Sequence, residues 1–191
     1  MTTRTLLILG HPSPDSFNAA LADAYADAAR QAGRELRRID LHALSFDPIL
    51  HGAYRGDQPL EPDLQAAQAD ILWAEEIVWV YPVWWGGLPA LLKGFLDRVL
   101  LPGFAFKYTG PQRWDKLLKG RSAELLVTLD TPPWYFRWVY GAPAHRQMIR
   151  TILGFSGIKT RRLAEFAPVR PSSEEQRQGW LRRAEGLGLR A

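Results

Sequence analysis

The sequence predicts an α/β protein built on a five-stranded parallel sheet that helices cover on both faces. Short apolar runs, typical of strands buried on both faces, recur along the chain, beginning with Thr5-Leu6-Leu7-Ile8-Leu9. Segments with apolar residues at helical spacing separate these runs, and parallel neighbours in a sheet require such crossover connections. With 191 residues, 47% of them hydrophobic, the chain can bury one sizeable core, so a single domain over 1–191 is expected.

Local signals mark several of the predicted elements. Gly33 stops the first helix, and Pro62 opens the second helix at a position that favours proline. The basic pair Arg37-Arg38 indicates that the second strand lies at or near an edge. Ser172 and Glu175 have the spacing of a capping box for the last helix. The predicted order is strand 5–9, helix 17–33, strand 36–41, an aperiodic stretch 42–60, helix 62–74, strand 76–81, helix 89–101, strand 122–129, an aromatic loop 131–140, helix 143–155, strand 158–167 and a last helix.

The composition argues against several functional classes. The net charge of +4 would suit an anionic partner, but the arginines form no block, so a phosphate-bearing small molecule is expected and nucleic acid is not. Because the chain has no cysteine, it can form no disulfide and no thiolate nucleophile, which fits a reducing compartment. We see no signal peptide, and no apolar run approaches the roughly 20 residues of a transmembrane segment. A cytoplasmic protein is therefore expected.

Other polar residues have simple structural interpretations. Lys93 and Arg98 lie on a predicted helix that also holds Asp97, and such charges are typical of solvated surface. The histidines share no ligand spacing with one another or with acidic pairs, so no metal site is predicted. The four histidines are His11, His42, His51 and His145.

Three loops are candidates for a ligand site before any motif is considered. In a doubly wound sheet the ligand lies outside the carboxyl ends of the strands, where the strand order reverses. The predicted elements place loops 10–18, 81–88 and 129–140 at that edge.

The first of these loops ends where the first helix begins. Free amides and the positive end of the helix dipole make such a helix start a site for an anion. His11, Ser13, Ser16 and Asn18 add side-chain donors. A purely structural interpretation, in which Ser16 caps the helix and the prolines shape a turn, is equally compatible with the loop alone. The loop lacks both the nucleoside triphosphatase motif and the dinucleotide fingerprint, so a monophosphate or pyrophosphate is favoured.

The second loop, Tyr81 through Pro89, holds two adjacent tryptophans and two glycines. Tryptophans in an exposed turn are costly unless they are covered, and a planar conjugated ring is a natural partner. The glycines would allow the backbone to approach such a ring closely. A subunit interface is an alternative, and the two interpretations are compatible.

Several further motifs follow these loops at consistent separations. They are Ser16-Phe17-Asn18, Ile39-Asp40-Leu41 with Phe46-Asp47-Pro48, Gln68, Tyr81-Pro82 through Trp85, Lys93-Gly94-Phe95-Leu96-Asp97-Arg98-Val99 and Gly103-Phe104-Ala105-Phe106. Together with the loop from His11, they resemble the NAD(P)H:quinone oxidoreductases of the DT-diaphorase type, a branch of the flavodoxin-like flavoproteins, over residues 4 to about 130. The resemblance implies a flavodoxin-like three-layer fold, with a five-stranded parallel sheet of order 2-1-3-4-5 and helices on both faces.

The resemblance also implies an NAD(P)H dehydrogenase (quinone)-like enzyme. NADPH or NADH would reduce a non-covalently bound FMN or FAD, leave, and be replaced by a quinone-like acceptor in a ping-pong, two-electron hydride transfer. The family further implies a homodimer with the active site at the interface. By position, the flavin phosphate would lie at His11, Ser16, Phe17 and Asn18, with Gln68 nearby.

Three more sets of residues follow from the resemblance. The backbone of Pro82, Val83, Trp84 and Trp85 would face the flavin ring and donate hydrogen bonds where negative charge grows on reduction. Thr128, Leu129, Asp130 and Thr131 would border the same ring. The acceptor pocket would include Phe104 and Phe106, contributed across the dimer interface.

The segment after the fourth predicted strand departs from the family. A turn resembling Thr-Thr-Gly-Gly is usual there, whereas Pro132 and Pro133 of this chain donate no hydrogen bonds. The tyrosine and histidine thought to assist hydride transfer in the family have no clear counterparts. Tyr135, Tyr140 and His145 are candidates by neighbourhood alone.

The aromatic stretch 134–138 is equally compatible with a pocket wall or a dimer surface. Arg137 or Arg146 could meet the nucleotide phosphate of the hydride donor. The basic charge favours NADPH slightly over NADH. The choice between FMN and FAD stays open, as do two other functions, a flavin-binding regulatory subunit of a potassium-efflux system and an azo or nitro reductase.

Overall fold

Five parallel strands form the central sheet. In the computed structural model, which describes residues 3–53 and 58–190, the sheet order is β2-β1-β3-β6-β7. Counted as sheet strands alone, this is the order 2-1-3-4-5, so the predicted fold is confirmed. A separate antiparallel hairpin consists of β4 and β5. The strands are β1 (Arg4–Leu9), β2 (Glu35–Asp40), β3 (Glu76–Pro82), β4 (Phe106–Gly110), β5 (Arg113–Lys116), β6 (Ser122–Thr128) and β7 (Lys159–Phe166).

Helices cover both faces of this sheet. A π-helix (Gln147–Leu153) joins α5 to α6, and a short 3-10 helix (Leu41–Ala43) follows β2. None of the helices in the described ranges combines the length and the apolar composition that a bilayer crossing requires. The α-helices are α1 (Phe17–Gln31), α2 (Pro62–Trp73), α3 (Ala90–Val99), α4 (Pro133–Trp138), α5 (Pro143–Arg146), α6 (Gly154–Ser156) and α7 (Glu174–Gly188).

The core is divided by the sheet into two clusters. Alternate residues of β1 belong to different clusters: Leu6 and Ile8 pack with residues of α2, α3 and the π-helix, whereas Leu7 and Leu9 pack with residues of α1 and α7. A strand that faces two apolar layers needs an apolar residue at every position, because successive side chains point to opposite faces. This requirement explains the continuous apolar runs of the sequence.

The edge strand β2 lacks such a continuous apolar run, and its position at an edge was correctly predicted from its charges. Arg37 forms an ion pair with Asp70 at 2.8 Å, and Arg38 forms ion pairs with Asp23 and Asp40 at 2.5 and 2.7 Å. These guanidinium groups remain partly exposed because β2 stands first in the sheet order and has a strand neighbour on one side within the described residues.

At the amino ends of the strands, a polar cluster lies inside the protein. Arg34 forms an ion pair with Glu76 and donates to the Tyr25 hydroxyl at 3.2 Å. Tyr25 in turn donates to Glu124 at 3.2 Å, and Arg162 pairs with the same carboxylate at 2.6 Å. Burial of these side chains is tolerated because each carboxylate has a charged partner.

Four features differ from the sequence predictions. The hairpin was not predicted, and residues 133–138 of the predicted aromatic loop form helix α4. The last helix is capped by Ser173, which accepts from the Gln176 amide, one residue beyond the predicted Ser172. The predicted surface residue Arg98 is fully buried. Of the aperiodic stretch 42–60, residues 54–57 lie outside the described residues.

The burial of Arg98 results from the stretch that precedes α2. Its guanidinium pairs with Glu61 at 2.8 Å and donates to the backbone carbonyls of Asp47 and Pro59. The chain around Pro48 therefore packs on α3, at a point where the helix has Gly94. A methyl group on Gly94 would lie 2.5 Å from Pro48 Cβ, so only glycine permits this close contact.

Candidate functional site

Two cavities open at the carboxyl ends of β1, β3 and β6. We call them the inner cavity, of about 360 Å³, and the outer cavity, of about 930 Å³. They share Val83, Trp84 and Asp130, so they adjoin. Lining the inner cavity are His11, Ser13, Asp15, Ser16, Phe17, Asn18, Pro82, Val83, Trp84, Thr128, Leu129, Asp130 and Val169. Lining the outer cavity are Val83, Trp84, Trp85, Gly86, Asp130, Thr131, Phe136, Val139, Tyr140 and Pro143.

The start of helix α1 forms one side of the inner cavity. Ser16 is the N-cap, and its hydroxyl oxygen accepts from the Ala19 amide at 3.1 Å. The hydroxyl proton is left to donate elsewhere. The amides of Phe17 and Asn18 belong to the first turn, where no intrahelical acceptor exists, and the helix dipole is positive here. Capping and anion binding are thus compatible functions of the same residue.

His11 lies beside the helix start in a neutral form. Burial, which outweighs a hydrogen bond with the Ser13 backbone, lowers the pKa of His11 below its ordinary value. Its Nδ1 is 3.0 Å from the Ser13 amide and 3.1 Å from the Ser13 carbonyl oxygen. In the tautomer in which Nδ1 accepts from this amide, Nε2 carries the proton and can donate to an anion. The ring also meets Trp84 edge-on, with centroids 5.6 Å apart, and this contact joins the first loop to the second.

A buried side-chain hydrogen bond joins α1 to the end of β6. Asn18 Nδ2 donates to Thr128 Oγ1 at 3.0 Å, and both residues are more than nine-tenths buried. The side-chain amide of Asn18 therefore helps to hold the start of the third loop in place. The Thr128 backbone also helps, because its carbonyl accepts from the Val83 amide at 2.8 Å.

The turn after β3 has two free backbone amides, and only one of them belongs to the predicted set. Pro82 has no N–H, the Val83 amide donates to Thr128, and the Trp84 amide donates to the Gly87 carbonyl at 3.1 Å. The amides of Trp85 and the adjacent glycine have no acceptor within residues 3–53 and 58–190. Of the four residues predicted to donate through their backbone, only Trp85 can do so.

Comparison with known proteins identifies the family of this chain. A family model described as having a flavodoxin-like fold matches residues 3–186. The chain belongs to this flavodoxin-like family. It is 37% identical over 132 residues to an uncharacterized NAD(P)H oxidoreductase of Haemophilus influenzae, covering 66% of this chain and 64% of that protein. It is 32% identical over 126 residues to NAD(P)H dehydrogenase (quinone) 1 of Rattus norvegicus, covering 55% and 46%.

These relatives confirm the resemblance inferred from the motifs, although the chain spans only about half to two thirds of their length. A solved structure of general stress protein 14 of Treponema denticola, in complex with FMN, is also similar to the flavodoxin-like chain. The sequences are 26% identical, the TM-score is 0.64, and the similarity covers 97% of this chain and 95% of the other. In flavodoxin-like sheets the ligand lies at the switch point between the first and third strands, where the inner cavity of this family member opens.

The third predicted loop of this flavodoxin-like protein is fixed by a fourth loop, which the sequence analysis did not consider. Asp130 Oδ1 accepts from the Arg170 amide at 2.8 Å, and the Leu129 carbonyl accepts from the Val169 amide at 3.1 Å. Val169 thereby joins the inner cavity. It could have been found by the rule that selected the other loops, because it follows β7 and every parallel strand ends at the same edge.

Helix α4 and the two residues that follow it form one wall of the outer cavity of this flavodoxin-like protein. Phe136, Val139 and Tyr140 line it, and the Tyr135 ring meets the Tyr140 ring edge-on at 5.0 Å without lining either cavity. Among the three predicted hydride-transfer residues, Tyr140 alone reaches a cavity.

His145 lines neither cavity and has a partner within the fold. Its side chain is buried, lies edge-on to Phe136 at 5.1 Å and pairs through Nε2 with Glu165 at 2.8 Å. Arg137 pairs with the same carboxylate. Burial alone would raise the pKa of Glu165, but the hydrogen bonds from His145 and Arg137 prevail and lower it. Glu165 therefore anchors α4 and α5 to strand β7.

Three other predicted residues lie away from both cavities. Gln68 Nε2 donates to the Val99 carbonyl at 2.9 Å, so its amide ends helix α3 and does not face the helix start of α1. Phe106 is buried against Phe155, with centroids 5.0 Å apart, and Phe104 packs against the same core cluster. Within one chain, neither phenylalanine lines the outer cavity, and Phe106 instead lines a separate cavity of about 310 Å³ beside Phe155.

Proposed function

We propose that this flavodoxin-like protein is a flavin-dependent NAD(P)H oxidoreductase that reduces quinones or similar flat acceptors. One observation carries the proposal: an anion site at a helix start adjoins a larger cavity with aromatic walls, and a turn with free amides lies between them. The names of the relatives and the FMN complex of the Treponema denticola protein support it.

The residues present fit a flavin. Ser16, His11 and the first-turn amides of α1 offer neutral donors suited to the phosphate of FMN or to the pyrophosphate of FAD. Thr128 to Thr131 and the backbone of the Trp84–Trp85 turn would border the ring. A flavin bound here supplies two-electron hydride chemistry, accepting from NADPH or NADH and reducing the acceptor that replaces the nucleotide.

The chain itself contributes electrostatics and exclusion of water. The free amides of Trp85 and Gly86 are fixed dipoles, because the flanking hydrogen bonds between Trp84 and Gly87 hold the turn closed. Fixed donors of this kind stabilise negative charge without reorganisation. The buried Phe136 gives the opposite wall an apolar surface that water does not hydrate well.

Tyr140 is the proposed proton donor during reduction of the acceptor. Apart from Asp130, which already accepts from the Arg170 amide, it is the one titratable side chain among the lining residues described for the outer cavity. Replacing its hydroxyl by hydrogen leaves the ring wall intact. We expect Tyr140→Phe to lower the acceptor-reduction rate by about 10²-fold, the lower range for general acid catalysis.

Tyr135→Phe is the matched control, because this ring touches Tyr140 but lies outside the cavities. Stopped-flow reduction of the flavin by NADPH, followed by reoxidation with a quinone, separates the two half-reactions. We expect Tyr140→Phe to affect only the second one, and equal effects of both variants would remove the assignment.

The proposal as a whole is tested on protein purified in the presence of FMN and FAD. Retained flavin, identified by mass spectrometry, together with its reduction by NADPH or NADH, is the expected outcome. A protein that retains no flavin, or whose flavin neither nucleotide reduces, contradicts the proposal. Turnover of a quinone, an azo dye and a nitroaromatic at one nucleotide concentration then ranks the acceptors.

We also propose a homodimer with the active site at the interface and a cytoplasmic location. Trp134, Trp138 and Val139 are more than half exposed beside the outer cavity, and a second copy would cover this apolar surface. In such a dimer the partner would complete the acceptor pocket. Sedimentation of the flavin-loaded protein tests the assembly, with Trp138→Glu expected to favour the monomer. Cell fractionation tests the location, which suits a cysteine-free chain.

A further inference from the structure

A third cavity adjoins the outer cavity on the far side of the Trp85 turn. We call it the arginine cavity. It has a volume of about 520 Å³ and shares Trp85, Gly86 and Pro143 with the outer cavity, so one extended ligand can occupy both. It is lined by Trp85, Gly86, Gly87, Pro143, Arg146, Gln147, Arg150 and Thr151.

Two guanidinium groups line this cavity without an acidic neighbour. Arg146 ends α5, and Arg150 lies four residues later in the π-helix. Across the part of the chain that the structure describes, neither has a carboxylate within 4 Å, and no acidic residue is in the lining. Like charges at this spacing repel each other, whereas a bound anion would bring them together favourably.

The contrast with Arg137 is informative, because the sequence singled out both Arg137 and Arg146 for a nucleotide phosphate. Arg137 is already paired with Glu165 and holds helix α4 in place. Arg146 is free to bind a ligand, and Arg150 gives it a second cation on the same wall.

Trp85 adds a flat aromatic surface beside the arginines. Its side chain is fully exposed, and its backbone has a φ of +52°, a left-handed conformation that is uncommon for a bulky residue. The Trp84–Gly87 hydrogen bonds hold it there. Strain of this kind persists where the surroundings impose it, and such residues cluster at ligand sites. An aromatic face next to two guanidinium groups suits a nucleobase that carries a phosphate on its sugar.

We infer that the arginine cavity binds the 2′-phosphorylated adenosine of NADPH, with Arg146 and Arg150 on the 2′-phosphate and Trp85 against the adenine. The inference rests on the proposed function. It assigns NADPH as the preferred hydride donor, with the nicotinamide in the outer cavity and the adenosine beyond the turn. NADH, which lacks the 2′-phosphate, leaves both arginines without a partner.

The first test is direct binding, which requires no turnover. Titration of 2′-AMP and 5′-AMP into the flavin-loaded protein by calorimetry should show preferential binding of 2′-AMP. We expect Arg146→Gln and Arg150→Gln each to weaken 2′-AMP binding about tenfold, the effect of losing one charged hydrogen bond. Arg182→Gln, on the exposed surface of α7, makes the same change in charge and serves as the control. Equal binding of the two nucleotides by the unmodified protein overturns the inference.

The second test uses flavin reduction in the stopped-flow instrument. The two arginine variants should raise the NADPH concentration for half-maximal reduction about tenfold and leave that for NADH within about twofold. A rise of the same size for both nucleotides would mean contact with the pyrophosphate and would overturn the inference. If neither nucleotide reduces the flavin of the unmodified protein, the proposed function fails, whereas preferential 2′-AMP binding would still support the site.

Discussion

At the residue scale, one hydroxyl group serves both the fold and the site. Ser16 Oγ accepts from the Ala19 amide and so caps helix α1, and its proton faces a cavity with three further donors from His11, Phe17 and Asn18. The Ala19 amide uses one of the two lone pairs of this hydroxyl, and the hydroxyl proton remains available to a ligand. Donors from four neighbouring residues around one cavity favour a ligand that is purely an acceptor, such as a phosphate.

Ser16→Ala should therefore have two effects. Loss of the cap should lower the free energy of unfolding by about 1 kcal/mol. Loss of a hydrogen bond to a charged phosphate should weaken FMN binding by about tenfold to a hundredfold. Ser173→Ala is a matched control, because Ser173 caps α7 in the same manner away from both cavities. Urea unfolding and FMN fluorescence titration measure the two effects, and weaker FMN binding in the control would show that the effect is merely structural.

Glu165 makes a pH-dependent contribution to stability. Its pKa lies below the ordinary value of 4.5, so the folded state binds fewer protons here than the unfolded state as the pH falls. The stabilisation is fully present above about pH 4.5 and is lost as the pH falls through the lowered pKa. We expect Glu165→Gln to destabilise the protein by about 2 kcal/mol at pH 7.

The difference between Glu165→Gln and the unmodified protein should shrink between pH 5 and pH 3. Urea unfolding across this range measures it. Glu185→Gln is the control, because the Glu185 side chain is exposed on α7 and has no hydrogen bond within the described ranges. A difference that stays constant with pH would contradict the assignment of the lowered pKa.

The identities of most cavity residues could be predicted from the sequence, but their individual roles could not. A loop at the carboxyl end of a parallel strand is located by the order of elements, which is why the loops with His11 and Trp84 were found, whereas Thr128 was named from the family resemblance. Which amides are free depends on pairing across the fold: Val83 is engaged by Thr128, 45 positions away in the chain. The environment of His145 could not be predicted for the same reason, since its partner Glu165 lies on strand β7.

At the element scale, helix α3 shows how packing decides a residue's environment. Arg98 on this helix is buried only because the chain around Pro48 lies across Gly94 and delivers Glu61 to the guanidinium. The sequence of α3 alone cannot distinguish this arginine from Lys93, which forms a partly exposed pair with Asp97. Burial of charge is a tertiary property.

Gly94→Ala tests this contact. The added methyl group would lie 2.5 Å from Pro48 Cβ and 2.6 Å from the Pro48 carbonyl oxygen. We expect the overpacking to lower the free energy of unfolding by about 1–3 kcal/mol, measured by urea. Gly186→Ala in α7 is the control, because nothing lies within 4 Å of its added methyl group. It should stabilise the protein by up to about 1 kcal/mol through helix propensity, and a similar gain at Gly94 would contradict the packing.

The strands with the clearest signal in the sequence are those buried on two faces. The continuous apolar runs of the sequence predict β1, β3 and β6. The hairpin β4–β5 is largely exposed, and its Lys107 and Asp115 give no periodic signal. Helix α4 was missed because its two prolines indicate a turn, although Pro133 occupies a first-turn position that a helix accepts.

At the scale of the whole molecule, the sheet has two chemically different ends. The amino ends of the strands enclose the paired charges of Arg34, Glu76 and Glu124. Substitution of one of these residues would destabilise the fold, because it leaves a buried charge without its partner. The carboxyl ends carry the loops that form the three cavities.

Binding of a flavin should therefore stabilise the entire domain. At a free FMN concentration of 100 times the dissociation constant, binding to the folded state alone adds about 2.7 kcal/mol. For a domain of this size the melting temperature should rise by roughly 5–10 °C in a scanning calorimetry experiment. Riboflavin, which has the ring without the phosphate, should give a clearly smaller shift at the same concentration. Equal shifts would mean that the start of α1 does not bind the phosphate.

The turn from Trp84 to Gly87 touches all three cavities, and this has an evolutionary consequence. Residues on one wall, such as Arg150 or Val139, can mutate and alter preference for the hydride donor or the acceptor separately. Mutations in the turn alter every preference at once, so their effects should depend strongly on the genetic background. Natural variants of such a protein should therefore differ mainly at the residues of the cavity walls, and the turn from Trp84 to Gly87 should change most slowly.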